Sequence, residues 1–253
     1  MTVRALDSDF STDRTPLLRW MIFTGVCVFG FVLIWHYGLF RLMLNSDRTS
    51  ISLIITLLYV GTTFHCLWRT MTISRELDVA HRVAALVEKY PGRLTVAGPN
   101  VLTESGARLP PSRVTEHIRN LVLKSGLQGR HRIDQTLLLR GLADQLRGPN
   151  LLGSFASDSL MKLGLLGTII GFIMMLAPIA GLDTGDRASV KTSMGLMSDG
   201  MAVAMYTTLT GLIGSILIKI QYYMLDEATA NLFSLATDLT EVFVVSVLER
   251  ENG

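Results

Sequence analysis

The sequence predicts an all-α membrane protein, with four transmembrane helices and a helical cytoplasmic domain between the second and third spans. Of its 253 residues, 49% are apolar and only 17% are charged, whereas soluble domains contain about 25% charged residues. The apolar residues also cluster, and each cluster approaches the roughly 20 residues that a helix needs to cross about 30 Å of hydrocarbon. The four predicted spans are Trp20–Phe40, Ile51–Trp68, Leu160–Leu182 and Gly195–Ile218.

The basic residues predict the orientation of these spans. Residues 70–148 contain twelve Lys and Arg, whereas the turns Leu42–Ser50 and Asp183–Met194 contain one and two. Cytoplasmic loops carry the excess of basic residues, so we expect the long loop and both termini in the cytoplasm. The loop also contains seven Asp and Glu, and this mixture of signs does not favour a nucleic-acid partner. The predicted segments are a cytoplasmic N-terminus (1–18), a first transmembrane hairpin (19–70), a helical cytoplasmic domain (71–157), a second transmembrane hairpin (158–222) and a cytoplasmic C-terminal helix (223–253).

Helical periodicity extends beyond the spans. Apolar residues at steps of three and four predict helices over Ile73–Tyr90, Arg113–Lys124 and Ile133–Arg147. The C-terminal stretch Asp226–Leu248 predicts an amphipathic helix that continues the last span. Its polar face is acidic, which favours packing on the cytoplasmic domain over attachment to a membrane surface. Its predicted buried residues are Ala228, Leu232, Leu235, Leu239, Val242 and Val245.

Catalytic motifs do not occur in the sequence. It contains no phosphate loop, no His/Cys set with metal-ligand spacing and no nucleophile motif. We therefore predict neither enzymatic activity, nor catalytic or metal-binding residues, nor a bound cofactor.

The last two spans carry small residues at helical spacing. Such residues let helix backbones approach closely in lipid, and buried threonine hydroxyls usually bond to their own helix. Two interpretations follow: the small faces only pack the spans together, or their threonines also line a narrow polar path. The residues are Gly164, Gly167, Thr168 and Gly171 on the third span, and Gly200, Ala204, Thr208, Gly211 and Ser215 on the fourth.

The spans contain no acidic or basic residue over Met21–Phe40, Ile51–Trp68, Leu163–Leu182 and Gly200–Ile218. Ion-coupled membrane proteins usually place an ionisable group in the membrane interior. If this chain conducts ions, another polypeptide must supply the carboxylate. Asp199 is expected at the outer mouth of the fourth span, where it either attracts cations or caps the positive end of that helix; the capping interpretation is favoured.

The segments Leu163–Phe172 and Gly200–Leu212 resemble two motifs of the MotA/TolQ/ExbB channel family. The first resembles Leu-Gly-(Leu/Phe)-x-Gly-Thr-x-x-Gly, and the second resembles Gly-(Met/Ile/Leu)-Ala-x-Ala-x-x-x-Thr-x-x-Gly-Leu. Both occur in the family's order, each on a predicted span. The four-span layout is similar to flagellar stators, although the chain has no proline after Pro178 and has Val203 where ExbB-like proteins can carry glutamate.

The resemblance implies a pentamer of this chain around a dimer of a single-span subunit of the MotB/TolR/ExbD kind. In such complexes the single-span subunit carries an essential membrane aspartate. By the resemblance, Thr168 and Thr208, with Thr207 beside them, would line the path of transported H⁺ or Na⁺ in a bacterial inner membrane. Ion binding to the aspartate would drive rotation, and the process that is powered stays open.

Two other classes of function remain open from the residues alone. A secondary transporter would typically have broken spans and internal repeats, yet the two hairpins do not resemble each other. A passive membrane scaffold would use the glycine faces for packing only. Replacing Thr168 and Thr208 by valine separates these readings, because a scaffold should keep its assembly and its activity.

Overall fold

The computed structural model describes residues 15–38, 50–90, 92, 94–128, 134–181 and 187–251. Four helices are long and apolar enough to cross a membrane: Pro16–His36, Ile51–Lys89, Thr136–Ile179 and Arg187–Arg250. The prediction of an α-helical membrane protein with four spanning helices is therefore confirmed. The turn predicted over Leu42–Ser50 lies outside the described residues, except for Ser50.

The described chain forms seven α-helices and one small β-hairpin. Short 3₁₀ turns at Gly148–Asn150 and Ala177–Gly181 and a π-helix at Thr240–Val245 connect or extend them. The elements are α1 (Thr15–His36), α2 (Ile51–Lys89), β1 (Thr95–Ala97), β2 (Asn100–Leu102), α3 (Arg113–Gln128), α4 (Thr136–Arg147), α5 (Leu151–Leu176), α6 (Arg187–Leu239) and α7 (Ser246–Glu251).

The chain divides into two compact units. The membrane unit comprises Leu18–Leu67 and Leu151–Met224, and it holds most of each predicted span. The loop unit comprises Trp68–Asn150 and Leu225–Gly253, together with Met1–Leu17. Helices α2 and α6 each contribute residues to both units, without a break at residue 67 or 224.

The core of the loop unit is built from helix faces with apolar residues at steps of three and four. Each fully buried side chain of this size contributes roughly 1.5–3 kcal/mol, so these faces hold the unit together. The buried residues include Ile73, Leu77, Ala80, Val83 and Val87 on α2, Val114, Ile118 and Leu121 on α3, and Ala228, Leu232, Ala236 and Leu239 on α6.

The β-hairpin is a departure from the predicted all-helical domain. The sequence indicated only an irregular stretch between residues 93 and 112, but Thr95 pairs with Leu102 and Ala97 with Asn100. Gly98 takes a positive φ of 62° in the two-residue turn, a conformation that glycine adopts without steric cost. Val101 is 1% exposed, so the hairpin adds one anchor to the core.

The C-terminal helix follows the prediction up to the π-helix. Ala228, Leu232 and Leu239 are buried as expected, but Val242 is 59% exposed. A π-helical turn contains an extra residue, which rotates the following side chains away from the predicted 3.6-residue register. The buried face therefore continues through Val244, Val245 and Leu248.

Candidate functional site

Helices α5 and α6 pack through a line of small residues, which we call the seam. A Cβ atom added at Gly171 would lie 2.6 Å from the backbone nitrogen of Ala204, and one added at Gly211 would lie 2.7 Å from the carbonyl oxygen of Leu160. Real Cβ atoms do not approach backbone atoms this closely. The space between the helices therefore requires glycine at both positions.

The seam continues along the rest of the hairpin. Gly200 faces the backbone of Met175 at 2.5 Å from an added Cβ, and Gly164 faces the carbonyl oxygen of Thr207 at 3.2 Å. Further along, Ser157 Oγ lies 2.9 Å from Ser215 Oγ. The predicted small faces of the two spans thus meet each other within one chain, and packing explains their glycines.

Two of the predicted path residues come together at the edge of the seam. The hydroxyl groups of Thr168 and Thr208 contact each other. Both also donate to the carbonyl oxygen of Gly164 at 3.2 Å, and Thr208 Oγ1 lies 3.0 Å from the carbonyl oxygen of Ala204. Thr168 is half-buried and Thr208 is exposed, so the hydroxyl pair forms a polar spot on an otherwise apolar helix surface.

Thr207 has different surroundings from the other two threonines. It is 0% exposed, and its hydroxyl donates to the carbonyl oxygen of Val203 at 2.8 Å. Its side chain fills the space that a Cβ atom on Gly167 would need. The structure therefore brings Thr168 and Thr208 together, and it places Thr207 inside the seam.

Asp199 lies within α6 and not at its start. The helix begins at Arg187, twelve residues earlier, although a turn was predicted over Asp183–Met194. A capping residue must precede the first helical turn, where backbone N–H groups lack partners. The capping interpretation of Asp199 is therefore wrong, while its assignment to an outer mouth stays a prediction.

A polar cluster in the membrane unit was missed by the sequence analysis. His65 Nδ1 lies 2.8 Å from the hydroxyl oxygen of Tyr222, and the two rings stack with centroids 6.3 Å apart. The Tyr222 ring also occupies the space beside Gly153. Next to it, Gln221 is 0% exposed. A histidine within a predicted span was an available signal, but its partner is 157 residues away, and only the fold shows the pairing.

Among the residues that the structure describes, no group of His, Cys, Asp or Glu could hold a metal ion. The site consists instead of hydroxyl groups on a tightly packed apolar hairpin without an acid or base of its own over residues 163–181 and 200–218. Such a surface can offer hydrogen bonds to an ionisable group carried by another chain. These features define the class: a multi-span membrane protein with an uncharged polar spot on its helix surface.

The model of the MotA/TolQ/ExbB proton channel family matches residues 116–236, and the resemblance inferred from the two motifs is confirmed. The matched stretch contains the whole seam and both hydroxyl groups of the surface pair. No curated protein and no solved structure matches the chain.

Proposed function

We propose that this chain is the ring-forming subunit of an ion-driven motor or channel complex that converts the flow of H⁺ or Na⁺ into mechanical work. The observation that carries the proposal is the Thr168–Thr208 hydroxyl pair at the surface of a charge-free hairpin, within the segment that matches the proton channel family. The hairpin lacks a carboxylate, so a partner chain must supply one. We propose a homo-pentamer around a dimer of a single-span subunit with a membrane aspartate.

The hydroxyl pair has a defined part in this mechanism. A hydroxyl group both donates and accepts hydrogen bonds, so the pair can donate to an ionised carboxylate and return to the Gly164 carbonyl when the carboxylate is neutral. Exposed Met205, Leu209 and Phe172 surround the pair with apolar surface, which an ionised carboxylate crosses only at high cost. Ion binding neutralises the carboxylate and allows it to pass from one hydroxyl pair to the next.

The proposed placement is a bacterial inner membrane, with both termini and the loop unit in the cytoplasm. The excess of basic residues between the second and third spans supports this orientation. Torque or displacement generated at the hairpins would then be delivered by the loop unit to a target inside the cell.

The first experiment replaces both hydroxyl groups in the complete complex. Thr168→Val with Thr208→Val keeps the side-chain shape and removes the donors. A hydrogen bond to a charged group contributes about 1.5–3 kcal/mol, so ion flux in reconstituted vesicles should fall roughly ten- to a hundredfold. The matched control is Thr62→Val, because Thr62 is also buried in a span and donates to its own helix at 2.7 Å; this variant should keep its flux.

Native mass spectrometry of the wild-type and variant complexes separates the outcomes. A ring with a small co-purifying chain, intact in the valine variant but without flux, supports the proposal. Unchanged flux in the valine variant would contradict the hydroxyl path. A chain that stays monomeric or dimeric under mild extraction would contradict the ring and favour a secondary transporter.

A passive membrane scaffold is the second candidate. Its supporting observation is that both hydroxyl groups already find acceptors within the chain, and the seam glycines are explained by packing alone. A scaffold would assemble normally and conduct no ions in either the wild type or the valine variant.

A further inference from the structure

The hairpin of α5 and α6 carries exposed charges near one end. Asp158 and Lys162 lie on α5, and Lys219 lies on α6. Among the described residues, neither Asp158 nor Lys219 has a hydrogen-bonding or ion-pairing partner. Charged side chains on membrane helices are costly and usually pair with one another. Their lack of partners within the chain therefore needs an explanation.

The contacts of the seam place Asp158 and Lys219 at similar depth. Ser157 meets Ser215 at 2.9 Å, and Gly153 lies against the ring of Tyr222. Asp158 directly follows Ser157, and Lys219 lies between the levels of Ser215 and Tyr222. With a rise of about 1.5 Å per residue, the two charges are within roughly one helical turn of each other along the hairpin.

The two charges point away from the seam of their own chain. Each residue of an α-helix advances by about 100°, so Asp158 is turned roughly 140° from Gly153, which lies in the seam. Lys219 follows Ile218, which is 0% exposed, and is turned by about 100° from it. Lys219 is also eleven residues after Thr208, which places both on one face of α6 within roughly 20°. Asp158 thus points away from its own α6, whereas Lys219 lies below the hydroxyl pair on a free face.

This arrangement suits a head-to-tail ring. In such a ring the same two surfaces meet at every interface, and the α5 back of one hairpin lies beside α6 of the next. We propose that Asp158 of one copy forms an ion pair with Lys219 of the adjacent copy, so that this pair sets the register of neighbouring hairpins. The proposal rests on the ring proposed above and names the contact that closes it.

Two other partners for these charges are tested against the proposal. Lys162 lies one turn from Asp158 on the same helix, a spacing that permits an intrahelical pair. Lys219 could also bind the phosphate of an anionic lipid headgroup. Only the pairing between copies requires Asp158 and Lys219 to approach each other.

Cysteine cross-linking of the full complex in membranes tests this approach. Asp158→Cys with Lys219→Cys in one chain should give, after mild oxidation, a ladder of covalent oligomers that ends at the ring size found by native mass spectrometry. Each single variant alone should stay monomeric, and this also controls for the native Cys27 and Cys66. Co-expression of the two single variants should give covalent dimers and nothing larger.

Charge reversal provides the second measurement. Asp158→Lys or Lys219→Asp alone should weaken each interface by roughly three- to fivefold, the effect of a partly exposed ion pair, and the two changes together should restore the assembled fraction. Lys162→Asp is the matched control and should leave the assembled fraction unchanged.

The outcomes separate this pair from the ring itself. A closed ring in native mass spectrometry without any cross-linked ladder would overturn the Asp158–Lys219 contact and leave the proposed function standing. Harm from Lys162→Asp equal to that from Asp158→Lys, without rescue by Lys219→Asp, would assign Asp158 to the intrahelical pair. The absence of any ring would overturn both proposals.

Discussion

At the scale of single residues, similar amino acids in this chain perform different tasks. Thr207 and Thr208 are adjacent in the sequence, yet Thr207 is 0% exposed and Thr208 is exposed beside Thr168. The rotation of about 100° between consecutive helix positions separates a packing hydroxyl from a surface hydroxyl. The motif alone predicts that threonines occur here, but the side that each one faces depends on how α5 seats against α6.

Gly171 provides a residue-scale test of the seam. Gly171→Ala places a methyl group 2.6 Å from the backbone nitrogen of Ala204, and overpacking of this kind typically costs about 1–3 kcal/mol. We expect a lower thermal unfolding midpoint in detergent. Gly195→Ala is the matched control, because an added Cβ there meets no atom within 4 Å and alanine favours the helix by up to about 1 kcal/mol. Equal midpoints for the two variants would contradict close packing at Gly171.

His117 predicts a pH dependence of the loop unit. It is 4% exposed, and burial lowers the pKa of its imidazole below the usual value. The folded state therefore disfavours the protonated form relative to the unfolded state, whose histidine pKa is about 6.5. Stability should fall as the pH decreases through 6.5 towards the lowered folded pKa.

Chemical unfolding between pH 7.5 and 5.5, followed by a probe in the loop unit, measures this effect. His117→Asn should flatten the pH dependence, whereas His81→Gln should retain it, since His81 is only half-buried. A wild-type protein whose stability is constant over this range would contradict the assignment.

At the scale of elements, one asparagine joins three segments of the loop unit. Asn150 ends the 3₁₀ turn and is 6% exposed. Its Nδ2 donates to Asp226 Oδ1 at 2.8 Å and to Thr229 Oγ1 at 3.1 Å on α6, while its Oδ1 accepts from Arg69 Nε on α2 at 3.4 Å. The amide thus mediates between a cation and an anion, which neither a charged nor an apolar side chain can do.

Asn150→Ala should therefore destabilise the loop unit. The change leaves Asp226 and Arg69 without the bridging amide, and buried hydrogen bonds of this kind are worth about 1–3 kcal/mol each when one partner is lost. Urea unfolding should show a lower midpoint, whereas Asn231→Ala on the exposed face of α6 should show no such decrease. A midpoint unchanged from the wild type would show that the network contributes no net stability.

At the scale of the whole molecule, the charges are distributed so that each unit has a distinct character. The hairpin that carries the hydroxyl pair lacks acids and bases over residues 163–181 and 200–218, whereas the loop unit contains the basic excess. An uncharged hairpin suits a role in which the titrating group arrives from another chain. The proposed Asp158–Lys219 contact lies just outside this uncharged zone, where an ion pair between copies costs less to bury than at the bilayer centre.

Apolar run length and small-residue spacing, which are local properties of the chain, were enough to predict the four spans, the helical class and the faces on which α5 and α6 meet. The positions of the element boundaries needed more. The early start of α6, the β-hairpin and the displacement of Val242 by the π-helix arise because tertiary contacts and helix register override local preference.

The pairs that join distant parts of the chain were beyond local reasoning. Thr168 with Thr208, Ser157 with Ser215 and His65 with Tyr222 are separated by 40, 58 and 157 residues. The order of amino acids shows that each is a polar group on a helix, but hydrogen bonds act over about 3 Å. Only the packing of the helices decides which groups come within that distance, and so which hydroxyls face the surface where an ion could pass.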